Sequence, residues 1–147
     1  MAKSETILLA DDDPDDVLLF RMALNQAGFQ NPLFVVSDGQ EAIQYLSGDG
    51  IYADRARFPV PQLLLLDLKM PQMSGFDVLA WLRERPEWKG LPVVILTSSC
   101  YEPDVRHAYE LGANSFLTKP SDFQGFVGTV KQMARFWLSK AALPDPE

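Results

Sequence analysis

Leu63-Leu64-Leu65-Leu66-Asp67 is a run of four leucines closed by an acid. A run so short and so uniformly apolar reads as a strand buried on both faces of a parallel sheet, because a strand with one wet face would alternate. Two other segments have the same form. Thr6 to Ala10 stops at Asp11 and Asp12, and Val93 to Leu96 stops at Thr97. Parallel strands put their polar ends on one edge. If that is the carboxyl edge, three carboxylates and a hydroxyl meet where open α/β sheets bind ligands.

Outward from these strands the chain alternates. Asp13-Pro14-Asp15-Asp16 starts a helix that carries Val17, Leu18, Met22 and Ala23 at helical spacing and stops at Gly28. Leu33 to Val36 is a second strand, and Ser37-Asp38-Gly39 turns into a helix over Gln40 to Leu46 with Ala42, Ile43 and Leu46 on one face. Ser47 to Gln62, with two glycines, two prolines and charged Asp54, Arg55 and Arg57, reads as a long surface loop. After Asp67, the loop Lys69 to Ser74 leads into a helix from Gly75 or Phe76 to about Arg85, with Phe76, Leu79, Ala80 and Leu82 toward the sheet. Val93 to Thr97 is the fourth strand, Pro103 to Leu111 a helix closed by Gly112, and Ser115 to Leu117 a fifth strand. The last helix begins near Ser121-Asp122 and lines up Phe123, Phe126, Val127, Val130, Met133 and Trp137.

Five strands alternating with five helices give a doubly wound α/β fold. The flavodoxin-like order 2-1-3-4-5 sets strands one and three side by side and so joins Asp11 and Asp12 to Asp67. One domain over residues 1–140 is expected, with 141–147, which contain Pro144 and Pro146, as a flexible tail. The 147 residues leave no room for a second substantial core. A formal net charge of -7, with 13 Lys plus Arg and no basic cluster, argues against DNA as a partner. The single Cys100 and the lack of an apolar signal region point to the cytoplasm, and no apolar run is long enough for a membrane span.

Three close carboxylates repel and call for a cation. Oxygen-only ligands suit magnesium better than zinc. Asp13, Asp15 and Asp16 are accounted for as helix-capping acids, which leaves Asp11 and Asp12 for the metal. Asp67, at the end of the central strand, fits a nucleophile for phosphoryl transfer, a reaction governed by position and charge neutralisation. The magnesium, the Thr97 hydroxyl and the Lys119 ammonium would meet the phosphoryl oxygens. Taken singly, Thr97 reads as a turn hydroxyl and Lys119 as a solvated loop lysine.

Together, Leu8-Leu9-Ala10-Asp11-Asp12-Asp13-Pro14, Leu65-Leu66-Asp67-Leu68-Lys69-Met70-Pro71 through Gly75, Val94-Ile95-Leu96-Thr97-Ser98, Gly112-Ala113 and Phe116-Leu117-Thr118-Lys119-Pro120 resemble the receiver domain of two-component response regulators. The resemblance runs nearly end to end. It implies Asp67 as phosphoacceptor, Asp12 as a direct magnesium ligand, Asp11 as the acid on a metal water, and the Lys69 carbonyl as a further ligand. It also implies Thr97 and Phe116 as switch residues, Lys119 as the site cation, and a cis bond before Pro120. Lys69 and Ser99 occupy positions that tune hydrolysis in relatives. The implied partner is a sensor histidine kinase whose phosphohistidine supplies the group.

Asp13-Pro14 with Asp16, the insertion Gly48 to Pro61 and the ending Arg135-Phe136-Trp137-Leu138 are similar to single-domain regulators of phytochrome-like or hybrid kinases. Phe136, on the polar side of the last helix, reads either as a stray exposed aromatic or as part of a partner surface, and a homodimer through the face of helix four, strand five and helix five is expected. His107 and Cys100 read as a surface histidine and a thiol without an activating neighbour. A phosphatase with an aspartyl intermediate would want an acid two residues past its nucleophile, where this chain has Lys69. A receiver-like scaffold would lack one of the acids, the hydroxyl or the lysine, and none is missing.

Overall fold

The computed structural model describes residues 5–98 and 101–139. Strands β1 (Ile7–Ala10), β2 (Leu33–Val36), β3 (Leu63–Leu66), β4 (Val93–Thr97) and β5 (Ser115–Thr118) form one parallel sheet in the order β2-β1-β3-β4-β5. They alternate with α1 (Pro14–Gln26), α2 (Gly39–Ser47), α3 (Gly75–Arg83), α4 (Glu102–Glu110) and α5 (Phe123–Ala134). The doubly wound fold and its strand order are those read from the sequence. Ala10 lies opposite Leu66, so the chain leaves β1 and β3 at adjacent points of the carboxyl edge.

Successive strand residues feed opposite cores, as the two-residue period of a strand requires. Ile7, Leu9, Leu63, Leu65, Val94 and Leu96 pack with Phe20, Ala23 and Leu24 of α1 and Phe126, Val130 and Met133 of α5. Leu8, Ala10, Leu64, Leu66 and Ile95 pack on the other face with side chains of α2, α3 and α4. The four leucines of β3 are at most 1% exposed, and each buried leucine contributes about 1.5–3 kcal/mol.

Short polar residues start the helices. Asp13 accepts from the Asp15 amide at 2.9 Å, Asp38 from the Glu41 amide at 2.7 Å and Asp122 from the Gly125 amide at 2.9 Å. Ser74 and Asp77 form a reciprocal capping box on α3. Gly28 and Gly112 take φ of 91° and 103° just past α1 and α4, a conformation in which side chains with a Cβ are strained.

Four local expectations need correction. The buried stripe of α1 is Phe20, Ala23 and Leu24, while Leu18, Leu19 and Met22 are exposed. Apolar residues occupy most of that helix's circumference, so spacing alone did not choose the face. On α3 the buried residues are Gly75, Val78, Leu79 and Leu82, with Phe76 and Ala80 only half-buried. The segment Ser47 to Gln62 is more than a surface loop: it holds a 3₁₀ turn, Gly50–Ala53, whose Tyr52 is buried. At the end of α5 a π-helical turn, Arg135–Ser139, buries Leu138 and leaves Trp137 half-buried. That turn widens the register beyond the 3.6-residue period on which the Trp137 stripe relied. Ser99, Cys100 and the expected tail 141–147 lie outside the described residues.

Candidate functional site

The loops after β1, β3 and β5 build one site. The Asp67 amide donates to the Ala10 carbonyl at 3.0 Å, extending the β1–β3 pairing by one residue and holding the side chain at the mouth of the sheet. Its Oδ1 accepts from the Lys69 amide at 3.3 Å, and the residue is 8% exposed. The Asp11 amide donates to Val36 at 3.0 Å, and Asp11 Oδ1 accepts from the Asp13 amide at 3.0 Å. Asp12 is exposed beside it. Carboxylate oxygens of Asp11, Asp12 and Asp67 all lie within 4.8 Å of one another. Oxygen-only donors this close, with one acid open to water, suit a hard divalent cation that keeps part of its hydration shell.

Lys119 enters from β5. Its amide donates to the Thr97 carbonyl at 2.8 Å, which fixes the start of the side chain. Its ammonium donates to Asp11 Oδ2 at 2.8 Å, Asp16 Oδ2 at 2.8 Å and Asp67 Oδ2 at 3.2 Å. Burial alone would lower the lysine pKa, but the hydrogen bonds to Asp11 and Asp16 and the charges of Asp67 and Asp11 outweigh it and hold the group above its ordinary value. The balance is reversed at Asp11. Burial raises its carboxyl above the usual range despite the hydrogen bonds from Lys119 and the Asp13 amide. The ammonium is thus secure in its charge, whereas the carboxylate is charged at a cost.

The loop under Asp67 is built around a glycine. The Gly75 amide donates to the Leu68 carbonyl at 2.9 Å, and a Cβ on Gly75 would collide with the Asp67 carbonyl. Gln72 in the same loop takes the left-handed φ of 68°.

Asp11, Asp12, Asp67 and Lys119 therefore converge as their sequence positions foretold. Thr97 closes β4, 1% exposed, with its backbone bound to Lys119. Phe116 pairs with Ile95 and packs half-buried against the core beneath α2, α3 and α4. The expected cis bond before Pro120 is not found: no cis peptide bond occurs among the described residues. An X–Pro bond favours trans by only about 0.5–1 kcal/mol, so a sequence motif does not decide its isomer. His107 lies on α4, half exposed, in tilted ring contact with Phe76 at 4.7 Å between ring centres and 3.9 Å from Glu110.

Asp16 is the residue that sequence reasoning misplaced. The capping expected of it falls to Asp13 at the start of α1, and Asp16 reaches Lys119 instead. The signal was present in the helix geometry: side chains tilt toward the N-terminus, so an acid on the first turn of α1 points back at the edge from which the helix springs.

No described helix is long and apolar enough to cross a membrane. The family model for the response regulator receiver domain matches residues 7–131. The chain is 36% identical over 140 residues to response regulator Rcp1 of Synechocystis sp., an alignment covering 95% of this chain and 93% of that protein. The solved structure of the phosphorylated cyanobacterial phytochrome response regulator RcpA matches with a TM-score of 0.87 at 36% identity, over 97% of this chain and 100% of that one. The Mn²⁺-bound form of Rcp1 matches with a TM-score of 0.84 at 35% identity, over 96% of this chain and 99% of that one. With the sheet order, the three clustered acids and these likenesses in agreement, the chain belongs to the receiver domains of response regulators.

Proposed function

We propose that this receiver accepts a phosphoryl group on Asp67 from a sensor kinase phosphohistidine and acts as a phosphorylation-dependent protein-binding switch. One observation carries the reading: the Asp67 carboxylate lies 3.2 Å from the Lys119 ammonium and shares an acid cluster with Asp11 and Asp12. A carboxylate attacks an anionic phosphoryl group only where cations offset the repulsion. An Asp67 oxygen forms the new P–O bond as the P–N bond to the donor imidazole breaks. The electron pair stays on the ring nitrogen, which takes up a proton.

Asp11, Asp12, Asp67 and the Lys69 carbonyl would hold magnesium, which supplies charge neutralisation at the phosphoryl oxygens. The likeness to Mn²⁺-bound Rcp1 supports a divalent ion here. Lys119 and Thr97 contact the remaining phosphoryl oxygens. Reversal is by water, whose oxygen bonds to phosphorus while the Asp67 carboxylate leaves with its electron pair. The chain's chemistry is thus self-directed phosphotransfer and autodephosphorylation.

Thr97 and Phe116 carry the switch. Both lie on paired strands, opposite Thr118 and Ile95, so a shift of the Thr97 hydroxyl toward the phosphoryl group is felt at the face of α4, β5 and α5. The kinase, phytochrome-like or hybrid, approaches over α1, which exposes Leu18, Leu19 and Met22 and whose Leu19 lines a groove with Lys119, Pro120 and Phe123. A cytoplasmic location goes with this reading. A homodimer would use the α4, β5, α5 face, where Phe136 is 56% exposed. Sedimentation at high concentration, with and without a phosphoryl mimic, tests it, and monomer in both cases would refute it.

The acceptor assignment is tested by intact mass after incubation with magnesium and acetyl phosphate. One phosphoryl adduct on the wild type and none on Asp67→Asn is expected. A folded wild type that stays unmodified, or equal labelling of the variant, would refute it.

A further inference from the structure

We propose that Asp16 is a positioning residue that holds the Lys119 ammonium toward α1 and competes for it with the phosphoryl group on Asp67. The inference rests on the acceptor reading above. A lysine ammonium has three protons to donate. In this structure they are committed to three carboxylates, at 2.8 Å to Asp11, 2.8 Å to Asp16 and 3.2 Å to Asp67. Once Asp67 carries a phosphoryl group, new acceptor oxygens stand in front of the same ammonium, and any further bond to them must come from a carboxylate that lets go.

The two short bonds differ in how easily they yield. The Asp11 side chain is 3% exposed, and its other oxygen is tied to the Asp13 amide, so it has little freedom to turn away. The Asp16 side chain is 32% exposed on the first turn of α1, and water can replace the lysine there. Asp16 is therefore the partner exchanged. It also borders the groove shared by Leu19, Lys119, Pro120 and Phe123, so a molecule seated between α1 and α5 touches the residue that sets the lysine's position. Asp16 thus favours the unphosphorylated form and links α1 to the state of Asp67.

Removing the Asp16 charge should free the ammonium for the phosphoryl oxygens. With acetyl phosphate and magnesium at steady state, Asp16→Asn should raise the ratio of phosphorylated to unphosphorylated protein about fivefold, the scale of one charge-assisted bond weakened by partial exposure. Asp16→Glu, which keeps the carboxylate, should return toward wild type. Asp15→Asn removes an equal charge from an exposed neighbour and should change the ratio little. The second readout is the ¹⁵N-detected ammonium signal of Lys119 without any phosphoryl donor, which should move in Asp16→Asn and stay in place in Asp15→Asn. A role in α1 stability alone would shift the melting temperature without raising the labelled fraction. An unchanged or lower ratio in Asp16→Asn, an equal rise in Asp15→Asn, or an unmoved ammonium signal overturns the inference and leaves the acceptor reading standing. A wild type that takes no label overturns both.

Discussion

The carboxyl edge of the sheet and the insertion beside β2 handle buried polar groups in opposite ways. In the insertion, Arg55 donates to the carbonyls of Tyr45 at 2.9 Å, Leu46 at 2.8 Å and Phe58 at 3.3 Å. The Tyr45 hydroxyl donates to the Pro59 carbonyl at 2.8 Å and the Tyr52 hydroxyl to Glu41 at 2.8 Å, with Tyr45, Tyr52 and Phe58 in ring contact. A cation there meets neutral acceptors that are otherwise hard to satisfy, and the result is stability. At the edge, three acids share one ammonium, and burial works against the charge of Asp11. The edge gives up stability to keep charge where a phosphoryl group and a metal can use it, whereas the insertion stores stability with no chemistry.

That contrast can be broken in three ways. The largest effect should come in alkali. Burial pushes the phenols of both Tyr45 and Tyr52 up to about 12, and at Tyr52 the Glu41 hydrogen bond and charge add to it. Raised folded values mean the folded state keeps the proton. This contribution is therefore complete below pH ~10, the unfolded value, and is lost as pH climbs through about 12. Tyrosinate absorbance should show two of the four tyrosines ionising only with unfolding; four early transitions in the folded protein would contradict the clamp.

Arg55→Ala should cost about 2–3 kcal/mol in urea unfolding while leaving Asp67 labelling per folded molecule unchanged. A loss of labelling would mean that the two regions are coupled. Asp11→Asn should do the reverse and stabilise the protein at pH 7 without divalent cations, while weakening metal binding. The sign follows from the raised Asp11 pKa: the folded form binds that proton more tightly, so its charge costs stability above the folded value and the gain shrinks as pH falls toward ~4. Destabilisation at pH 7 would show that Asp11 is held there by its partners at no cost.

The edge was the more legible of the two regions. Strands closed by Asp11, Asp12, Asp67 and Thr97 announce themselves because parallel pairing forces their ends together, whereas Lys119, taken singly a solvated loop lysine, gains its place only in company with them. Asp16 was hidden because an acid beside a capping acid looks like another cap, and only the third dimension separates them. The insertion reads as a loop because glycine, proline and charge dominate it. Its order comes from one half-buried guanidinium and two phenols whose partners lie up to 14 residues away, which no local pattern records. The exposed stripe of α1 failed for a related reason: apolar residues around a whole helix leave its rotation to be settled by Phe20 and Leu24 meeting the sheet.

Reductive trapping tests the central claim most directly. After incubation with acetyl phosphate and magnesium, borohydride should convert the acyl phosphate to an alcohol, and peptide mapping should find homoserine in place of aspartate at position 67 alone. Homoserine at Asp11, Asp12 or Asp16, or no trapped product from a protein that carries a phosphoryl adduct, would contradict it.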